Sequence, residues 1–556
     1  MRKYLLLLLI PALHACSNAT TYDTIIRNAM IYDGNGGAPY KGDMAINADT
    51  IAAMGDLGSS KANKEIDAKG MAVAPGFSNM MGHSEETLFQ DNRALSDVKQ
   101  GVTMEVFGEL SYGPLNAKSK KQAQDAEGDI KYNVGWNTLG EYMNTLEKKG
   151  IAVNISSFVG TGTVRQYVIG EDNVAPTAQQ LDSMKMLVDQ AMQQGALGVT
   201  NALIYPPDFF AKTGELIALS KEASKYGGTY SSHMRSEGNR LVEAVNEIIT
   251  ISKEANIPVH IYHLKAAGKD NWNKMDSVIK MVTDARAGGL QVTADMYTYL
   301  AGATGLTSSF PPTLQDGGFG KLWERLHDPA IRKQMAAAMN TNANNWENYY
   351  YGCGGAEHVL LLSFKQDSLK KYTGKTLAEV AKIHGKSAEE TAMDLIIADS
   401  TRVGVAYFLM NEDNVKKQVA LPWVSFGSDE GSYAPDDTIF KKSQPHPRAY
   451  GNFARVIGHY SRDEKVITLQ QAIYQLAKLP IETLKIKKRG ELKVGNYADI
   501  IIFDPAKVNG LATYDKPQQL ATGMIDVFVN GKLILKYGEP TGATPGKFVK
   551  GPGYKG

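Results

Sequence analysis

Thr229-Tyr230-Ser231-Ser232-His233 is a short strand-like run that stops on a histidine. Ile257-Pro258-Val259-His260-Ile261-Tyr262-His263 does the same one unit later, after an amphipathic stretch. The pattern extends both ways: Met71–His83, Val102–Glu109, Ile151–Gly160 and Ala196–Tyr205 come before, and Leu290–Tyr297 and Leu421–Asp429 after. Apolar runs separated by helical stretches indicate parallel strands buried on both faces. Eight βα units predict an α/β fold of the (β/α)8 TIM type, with the site at the C-terminal ends of the strands. The helices carry their own signals. Thr177–Gly195 has Leu181, Met184, Leu187, Val188 and Met192 at helical spacing, and Thr177 with Gln180 fits a capping box. Glu215–Tyr226 ends before Gly227-Gly228, a C-terminal stop.

The spacing breaks between Tyr297 and Leu421, which predicts an insertion over about residues 300–420, acting as a lid on the barrel mouth. Within it, Thr376–Asp394 has a superficial helix-turn-helix look that reads as ordinary helical packing. The ends of the chain differ from the middle. Thr24–Ile31, Asp43–Ala48, Thr50–Met54, Ala498–Phe503 and Val527–Val529 are strand-like, with turn residues between them. They predict a small β-sandwich built by residues 16–73 and 484–556, beside a barrel over residues 74–483.

Composition excludes other classes. With 60 basic and 59 acidic residues among 556 the net charge is +1, so no basic surface points to nucleic acid. A hydrophobic share of 43% and a charged share of 21% suit a globular chain rather than a disordered one. Cys16 and Cys353 are the only cysteines, too few for a disulfide scaffold. Arg2 and Lys3 before the short apolar run Leu5–Ile10 read as a secretory signal over residues 1–15. Leu13-His14-Ala15-Cys16 resembles a bacterial lipobox, although His14 is unusual there. The expectation is an exported protein, lipidated on Cys16 and held to the periplasmic or outer membrane by lipid alone. Signal cleavage without lipidation is the alternative.

Several stretches resemble the amidohydrolase superfamily. Ile66-Asp67-Ala68-Lys69-Gly70-Met71-Ala72-Val73-Ala74-Pro75-Gly76-Phe77 is similar to the segment that leads into its barrel. Gly490-Glu491-Leu492-Lys493-Val494-Gly495-Asn496-Tyr497-Ala498-Asp499 is similar to its return into the β-sandwich. The closer similarity is to N-acyl-D-amino-acid deacylases (D-aminoacylases). It is carried by Ser232-His233-Met234-Arg235-Ser236-Glu237-Gly238, His263-Leu264-Lys265-Ala266-Ala267-Gly268, Gly427-Ser428-Asp429, His446-Pro447-Arg448-Ala449-Tyr450-Gly451 and Thr541-Gly542-Ala543-Thr544-Pro545-Gly546.

His233 and His263 end successive strands, so both imidazoles can reach one Zn²⁺ or similar divalent ion; two hydrogen-bonded structural histidines are the alternative. The resemblance makes Asp429 the catalytic carboxylate, which takes a proton from water and returns it to the leaving amine. A buried helix cap is the other reading of that residue. The first strand departs from the family's His-X-His motif and preceding aspartate: Met81 replaces the first histidine and Asn79 the aspartate, leaving His83 as at most a weak second metal site. Leu110 stands where D-aminoacylases have a ligating cysteine, and Glu109 beside it is the candidate third ligand, or else a salt-bridged strand end. Arg235, Tyr205, His446 and Arg448 are candidate substrate contacts, with Arg235 reading a carboxylate and Tyr205 an oxyanion. Structural roles stay open for all four. Asp295 and Tyr297 end the seventh strand, and His260 reads as a core or hydrogen-bonded histidine.

Together these imply a hydrolase with one tightly bound zinc that cleaves the linear amide of small N-acylated amino acids, of D configuration by the resemblance. A cyclic-amide or dipeptide hydrolase on the same fold is the rival enzyme, since fold does not fix substrate. A degenerate surface-binding lipoprotein is the rival from another class.

Overall fold

The two runs that open the pattern are neighbouring parallel strands, Thr229–His233 and Val259–Ile261, registered from Tyr230 opposite Val259 to Ser232 opposite Ile261. The computed structural model describes residues 21–556, so Cys16 and the targeting segment lie outside the described residues. These strands lie inside a six-stranded parallel sheet ordered Val159–Gly160, Gly198–Ala202, Thr229–His233, Val259–Ile261, Val292–Met296, Val424–Phe426. A second parallel sheet joins Phe77–Gly82, Val102–Phe107 and Asn154–Ser157.

The two sheets adjoin at both margins. At one, the chain passes from Asn154–Ser157 into Val159–Gly160 through Phe158, whose N–H donates to Phe107 O at 3.2 Å. At the other, Asp429 N–H donates to Met81 O and His83 N–H to Glu430 O, each at 2.9 Å. Every expected parallel run therefore contains a strand, and nearly all of the strand residues are buried. The run Met71–His83 is two strands. Ala72–Pro75 belongs to a different sheet, and the break falls at Gly76, where a Cβ would lie 2.2 Å from Thr103 Oγ1.

Helices fill the intervals. Ala178–Gln193 starts at Thr177, whose hydroxyl accepts from Gln180 N–H while the Gln180 side chain accepts from Thr177 N–H. Its face of Met184, Val188 and Met192 is buried. Thr213–Ser224 stops as the glycines predict: Gly227 takes a φ of +77° and Gly228 N–H donates back to Ala223 O.

The long insertion has its own three-stranded antiparallel sheet, ordered Ala301–Gly305, Gly404–Phe408, Val359–Ser363. The helix-turn-helix lookalike is two helices, Leu377–His384 and Ala388–Asp399, with Val380, Met393 and Ile396 buried.

The chain ends meet in one nine-stranded sheet, joined where Ile500–Phe503 runs antiparallel to Ala72–Pro75. Three of its strands escaped the sequence reading, the two-residue Glu539–Pro540 among them. Lys61–Asp67 is mostly charged and half exposed, yet pairs in parallel with Thr21–Ile31. Lys532–Lys536 returns from Met524–Val529 through Asn530-Gly531, both at positive φ, as a tight hairpin requires. Ile26, Met44, Ile500 and Phe528 share an apolar core, so neither end segment buries its face alone.

Candidate active site

Three strand ends share a backbone feature. Glu109, His263 and Asp429 have φ angles of +60°, +34° and +51°. Such angles cost a non-glycine residue on the order of 1–3 kcal/mol and persist only where surrounding structure enforces them. All three residues line one cavity of about 410 Å³, together with His83 and His233. The insertion supplies part of the wall, through Gly302–Gly305 and Gly404–Val405.

Glu109 Oε1 lies 2.8 Å from His233 Nδ1 and 3.0 Å from His263 Nε2. The two imidazoles meet edge to face at 4.5 Å, and one donor atom from each of the three residues lies within 4.8 Å of the others. Both histidines are buried. Two neutral imidazoles and a carboxylate are a donor set that suits a divalent metal with a coordination position left open. Burial alone would push the Glu109 carboxyl up; His233 and His263 outweigh it and hold it well below the usual carboxylate range.

Glu237 escaped the sequence reading. Its Oε1 is 2.9 Å from His263 Nδ1, the ring nitrogen turned away from Glu109, and Lys265 Nζ lies 2.7 Å from the same nitrogen. A carboxylate in that position helps to fix the ring orientation of a ligating histidine. Glu237 also accepts from Lys265 Nζ at 2.5 Å and from the Tyr349 hydroxyl at 2.7 Å. Burial opposes its charge, but Lys265, His233 and His263 keep the carboxyl well below its ordinary value. The only sequence signal was its place four residues after His233, inside the quoted motif.

Asp429 stands across the cavity. Its Oδ1 is 3.2 Å from His83 Nε2 and its Oδ2 is 2.8 Å from Arg448 Nη1. Burial raises its pKa, while Arg448, His263 and His83 together bring it down to about 2. The group is therefore an anion at neutral pH. His83 is flanked by carboxylates, with Glu85 at 3.9 Å and Glu109 at 4.0 Å besides Asp429. It is not among the clustered donors Glu109, His233 and His263.

The altered first strand has a packing explanation. Met81 is fully buried in the parallel strand Phe77–Gly82. Asn79 donates to Ser428 Oγ at 2.7 Å and accepts from Ser428 N–H at 2.9 Å. It thus ties the first strand to the residue that precedes Asp429. Beneath it lie the carboxyls of Asp97 and Glu105; burial pushes both up, and Glu105 raises Asp97 further.

Two expected substrate contacts, Arg235 and His446, need correction. Arg235 does not line the cavity. Its guanidinium is held by Glu247 at 2.9 and 3.0 Å and by the carbonyls of Phe209 and Ala211, which leaves it no access to a ligand beside His233. His446 is fully buried behind the cavity wall, near Tyr297, Tyr299 and Tyr514, and its Nδ1 accepts from Arg448 N–H. It positions Arg448 rather than substrate. Tyr205 lines the cavity as expected, and its hydroxyl shares a 2.7 Å hydrogen bond with Thr304 Oγ1 in which either oxygen can donate. Arg448 lines the cavity as expected. Tyr297 lines it too, and its buried hydroxyl lacks a hydrogen-bond partner among the described residues. His260 is hydrogen-bonded: Nε2 to Asp295 at 2.7 Å and Nδ1 to Thr293 at 2.8 Å, while Asp295 also accepts from His263 N–H.

Comparison with known proteins agrees with this geometry. The model of the amidohydrolase family matches residues 64–535. The chain is 28% identical to the D-aminoacylase of Alcaligenes xylosoxydans xylosoxydans, over 96% of this chain and 98% of that protein. It is similar to a solved D-aminoacylase described as having a binuclear metal center with one-metal activation and second-metal attenuation, at 28% identity and a TM-score of 0.78 over 95% of this chain and 100% of that one. It is also similar to N-acyl-D-glutamate deacylase from Bordetella bronchiseptica, solved with zinc and a phosphonate inhibitor that mimics the tetrahedral intermediate. There the identity is 25% and the TM-score 0.78, over 96% of this chain and 100% of that one.

Proposed function

The chain belongs to the amidohydrolase family, and from that premise we propose that it is an exported, zinc-dependent hydrolase of N-acyl-D-amino acids. One observation carries the reading: Glu109, His233 and His263 converge on one side of a cavity whose other side presents the ionised Asp429. Glu109, His233 and His263 would hold a single zinc, which when bound polarises the amide carbonyl and makes water more acidic.

The chain's own groups do the rest. Asp429 accepts the proton of the attacking water on a carboxylate oxygen and delivers it to the departing nitrogen, because attack and departure need opposite proton transfers. Glu237 holds His263 in orientation through Nδ1. Arg448 takes over the role first given to Arg235. It is buried at the cavity wall, its Nη1 pairs with Asp429 and its Nη2 donates to the Asp429 carbonyl, which leaves its Nε to donate to one oxygen of the substrate's α-carboxylate. Tyr297, rather than Tyr205, serves as the oxyanion donor: burial pushes its hydroxyl well above the ordinary value, so it keeps its proton.

The wider architecture belongs to the same reading. Residues 74–483 form a closed (β/α)8 barrel, for which the hydrogen bonds at both sheet margins speak. The end segments, residues 21–73 and 484–556 of those described, form a β-sandwich, supported by their shared apolar core. The insertion, residues 300–420, is the lid. Leu13-His14-Ala15-Cys16 places a lipid on Cys16 and the protein on a membrane surface of the cell envelope. Cys16→Ser is then expected to lose lipid labelling and leave the membrane fraction; continued membrane association would refute the anchor.

The activity is tested on zinc-loaded protein with N-acetyl-D-amino acids, detecting the released amino acid with an enantiospecific oxidase. Release from the D-series but not the L-series is expected. No release from any N-acyl-D-amino acid would refute the proposal, and preference for the L-series would refute its stereochemical part.

A further inference from the structure

We infer that Glu85, Glu86 and Thr87 bind an ammonium group on the acyl side of the scissile bond, which makes aminoacyl-D-amino acids, dipeptides with a D residue at the carboxyl end, a substrate class of this site. This rests on the deacylase reading and adds to it the identity of the acyl group. Asp429 sets the direction of the substrate. Its Oδ2 faces Arg448 Nη1 at 2.8 Å and its Oδ1 faces His83 Nε2 at 3.2 Å. A substrate whose α-carboxylate meets Arg448 therefore sends its acyl group, across the scissile bond, towards His83. The space continues there: a second cavity of about 430 Å³ shares His83, Glu109, Leu110 and Tyr433 with the first, and Glu85, Glu86 and Thr87 line it.

Negative charge on this wall lacks its counterpart. The Glu85 side chain is only 7% exposed, and His83 Nδ1, at 3.9 Å, is its one ion-pair partner among the described residues. The Tyr142 hydroxyl donates to the Glu85 carbonyl at 3.0 Å and holds the residue in place, but no other described residue hydrogen-bonds its carboxylate. Glu86 Oε1 accepts from the hydroxyls of Tyr112 and Tyr132, each at 2.8 Å; these donors are neutral, and Oε2 stays unclaimed among the described residues. The Thr87 hydroxyl is buried with no hydrogen-bond partner among them. Asp129, the remaining acid of this cavity, is paired with Lys370 and Lys442, and Lys365 turns its Nζ to the Asp125 carbonyl at 2.7 Å. Three acceptor groups on consecutive residues, two of them carboxylates, match the three N–H donors of an ammonium.

Distance agrees with an α-ammonium. That group sits two bonds from the scissile carbonyl carbon, so whatever binds it has to stand close to the reacting groups. Glu85 is one imidazole away from them: His83 meets Glu85 through Nδ1, and through Nε2 it meets Asp429 and lies 4.0 Å from Glu109 Oε2. An acetyl group has nothing to offer these acceptors. The reaction itself is unchanged. The oxygen of one water joins the carbonyl carbon of the aminoacyl group, the bond from that carbon to nitrogen breaks, and the water's proton passes through Asp429 to the departing nitrogen. Two free amino acids result, the second of D configuration.

The test compares glycyl-D-alanine with N-propionyl-D-alanine, which exchange an ammonium for a methyl group at nearly constant shape. In the full-length zinc-loaded protein, kcat/KM is expected to favour the glycyl compound. The ratio of the two should fall about ten- to hundredfold in Glu85→Gln, the range of hydrogen bonds to charged groups. Thr87→Val, which keeps the side-chain shape, should lower it roughly two- to tenfold. Calorimetry of both compounds on Asp429→Asn reads binding without turnover. A wild type that favours the propionyl compound, or a ratio that neither variant lowers, would overturn the inference and leave the deacylase reading in place. If wild type turns over neither compound, yet Asp429→Asn binds the glycyl one more tightly and loses that preference when Glu85→Gln is added, the deacylase reading fails and the ammonium site stands. Absence of the binding preference as well would refute both.

Discussion

Replacing Glu237 by glutamine should have two separable consequences, because the carboxylate serves two buried partners. Lys265 and Glu237 are 4% and 1% exposed at their side chains and 2.5 Å apart, so the amide leaves an ammonium buried without its counter-charge. Breaking a buried pair from one side costs roughly 3–5 kcal/mol. The second partner is His263, whose Nδ1 lies 2.9 Å from Glu237 Oε1. Loss of such an outer carboxylate typically weakens metal binding about 10–100-fold. Glutamine keeps an acceptor for the ring N–H but not the charge, which points to the lower half of that range. Zinc affinity is measured by competition with a chromophoric chelator, and stability by denaturant unfolding of the metal-free protein. Adding Lys265→Met to Glu237→Gln removes the stranded charge, so most of the stability should return while zinc binding stays weak. If the double variant binds zinc as tightly as wild type, Glu237 is only the counter-ion of Lys265 and its role in orienting His263 is wrong.

Asp429→Asn should retain zinc and lose about 10²–10⁴-fold in kcat, since the amide cannot accept the proton; near-normal turnover would remove its role. Elemental analysis should find close to one zinc per chain. Glu109→Ala, His233→Ala and His263→Ala should each lose it while His83→Ala keeps most of it, and the reverse pattern would move the site to the other side of the cavity. The buried Glu105 carboxyl, raised by burial to about 7, gives a pH signature. A raised folded-state value means that the folded protein holds a proton which the unfolded chain releases near its ordinary value. The associated stability is therefore complete below that value and lost as pH rises through about 7. Glu105→Gln should flatten this part of the melting-temperature profile between mildly acidic and mildly alkaline pH; a profile parallel to wild type would refute the assignment.

The parallel strands were legible because each is an apolar run bounded by helix signals, and Thr177 and Gly227-Gly228 mark their helix ends in the way capping physics requires. Lys61–Asp67 was not legible, since an edge strand with lysines and acids carries no burial pattern. Among the site residues, strand-end position together with the family resemblance singled out Glu109, His233, His263 and Asp429, and strand ends converge whatever the helices do. Arg235 failed for a reason that sequence conceals: its partner Glu247 comes from the following helix, Leu241–Ala255. Tyr205 reaches the cavity as expected, but its partner Thr304 belongs to the insertion and was not legible. Glu237 depends on a contact across a long sequence separation, to Tyr349.

The altered first strand also bears on how the remaining half of the site works. A general base must be ionised before the reaction starts, and a carboxylate buried as deeply as Asp429 resists ionisation unless positive charge stands near it. Met81 offers no charge, and Asn79 is committed to Ser428 through both ends of its amide. The compensation is supplied from within the chain: Arg448 Nη1 at 2.8 Å, with His263 and with His83 Nε2 at 3.2 Å, brings Asp429 down to about 2. A guanidinium does not lose its proton at any pH the protein meets, so Arg448 provides this service permanently. The charge that keeps Asp429 ionised is thus built into the fold beside the Val424–Phe426 strand, where His446 fixes the Arg448 backbone and Tyr297 stacks beneath its guanidinium at 4.4 Å. On the proposed mechanism, having Met81 in place of a first-strand histidine leaves Asp429 ionised, so one metal position at Glu109, His233 and His263 and one carboxylate would still work as a pair.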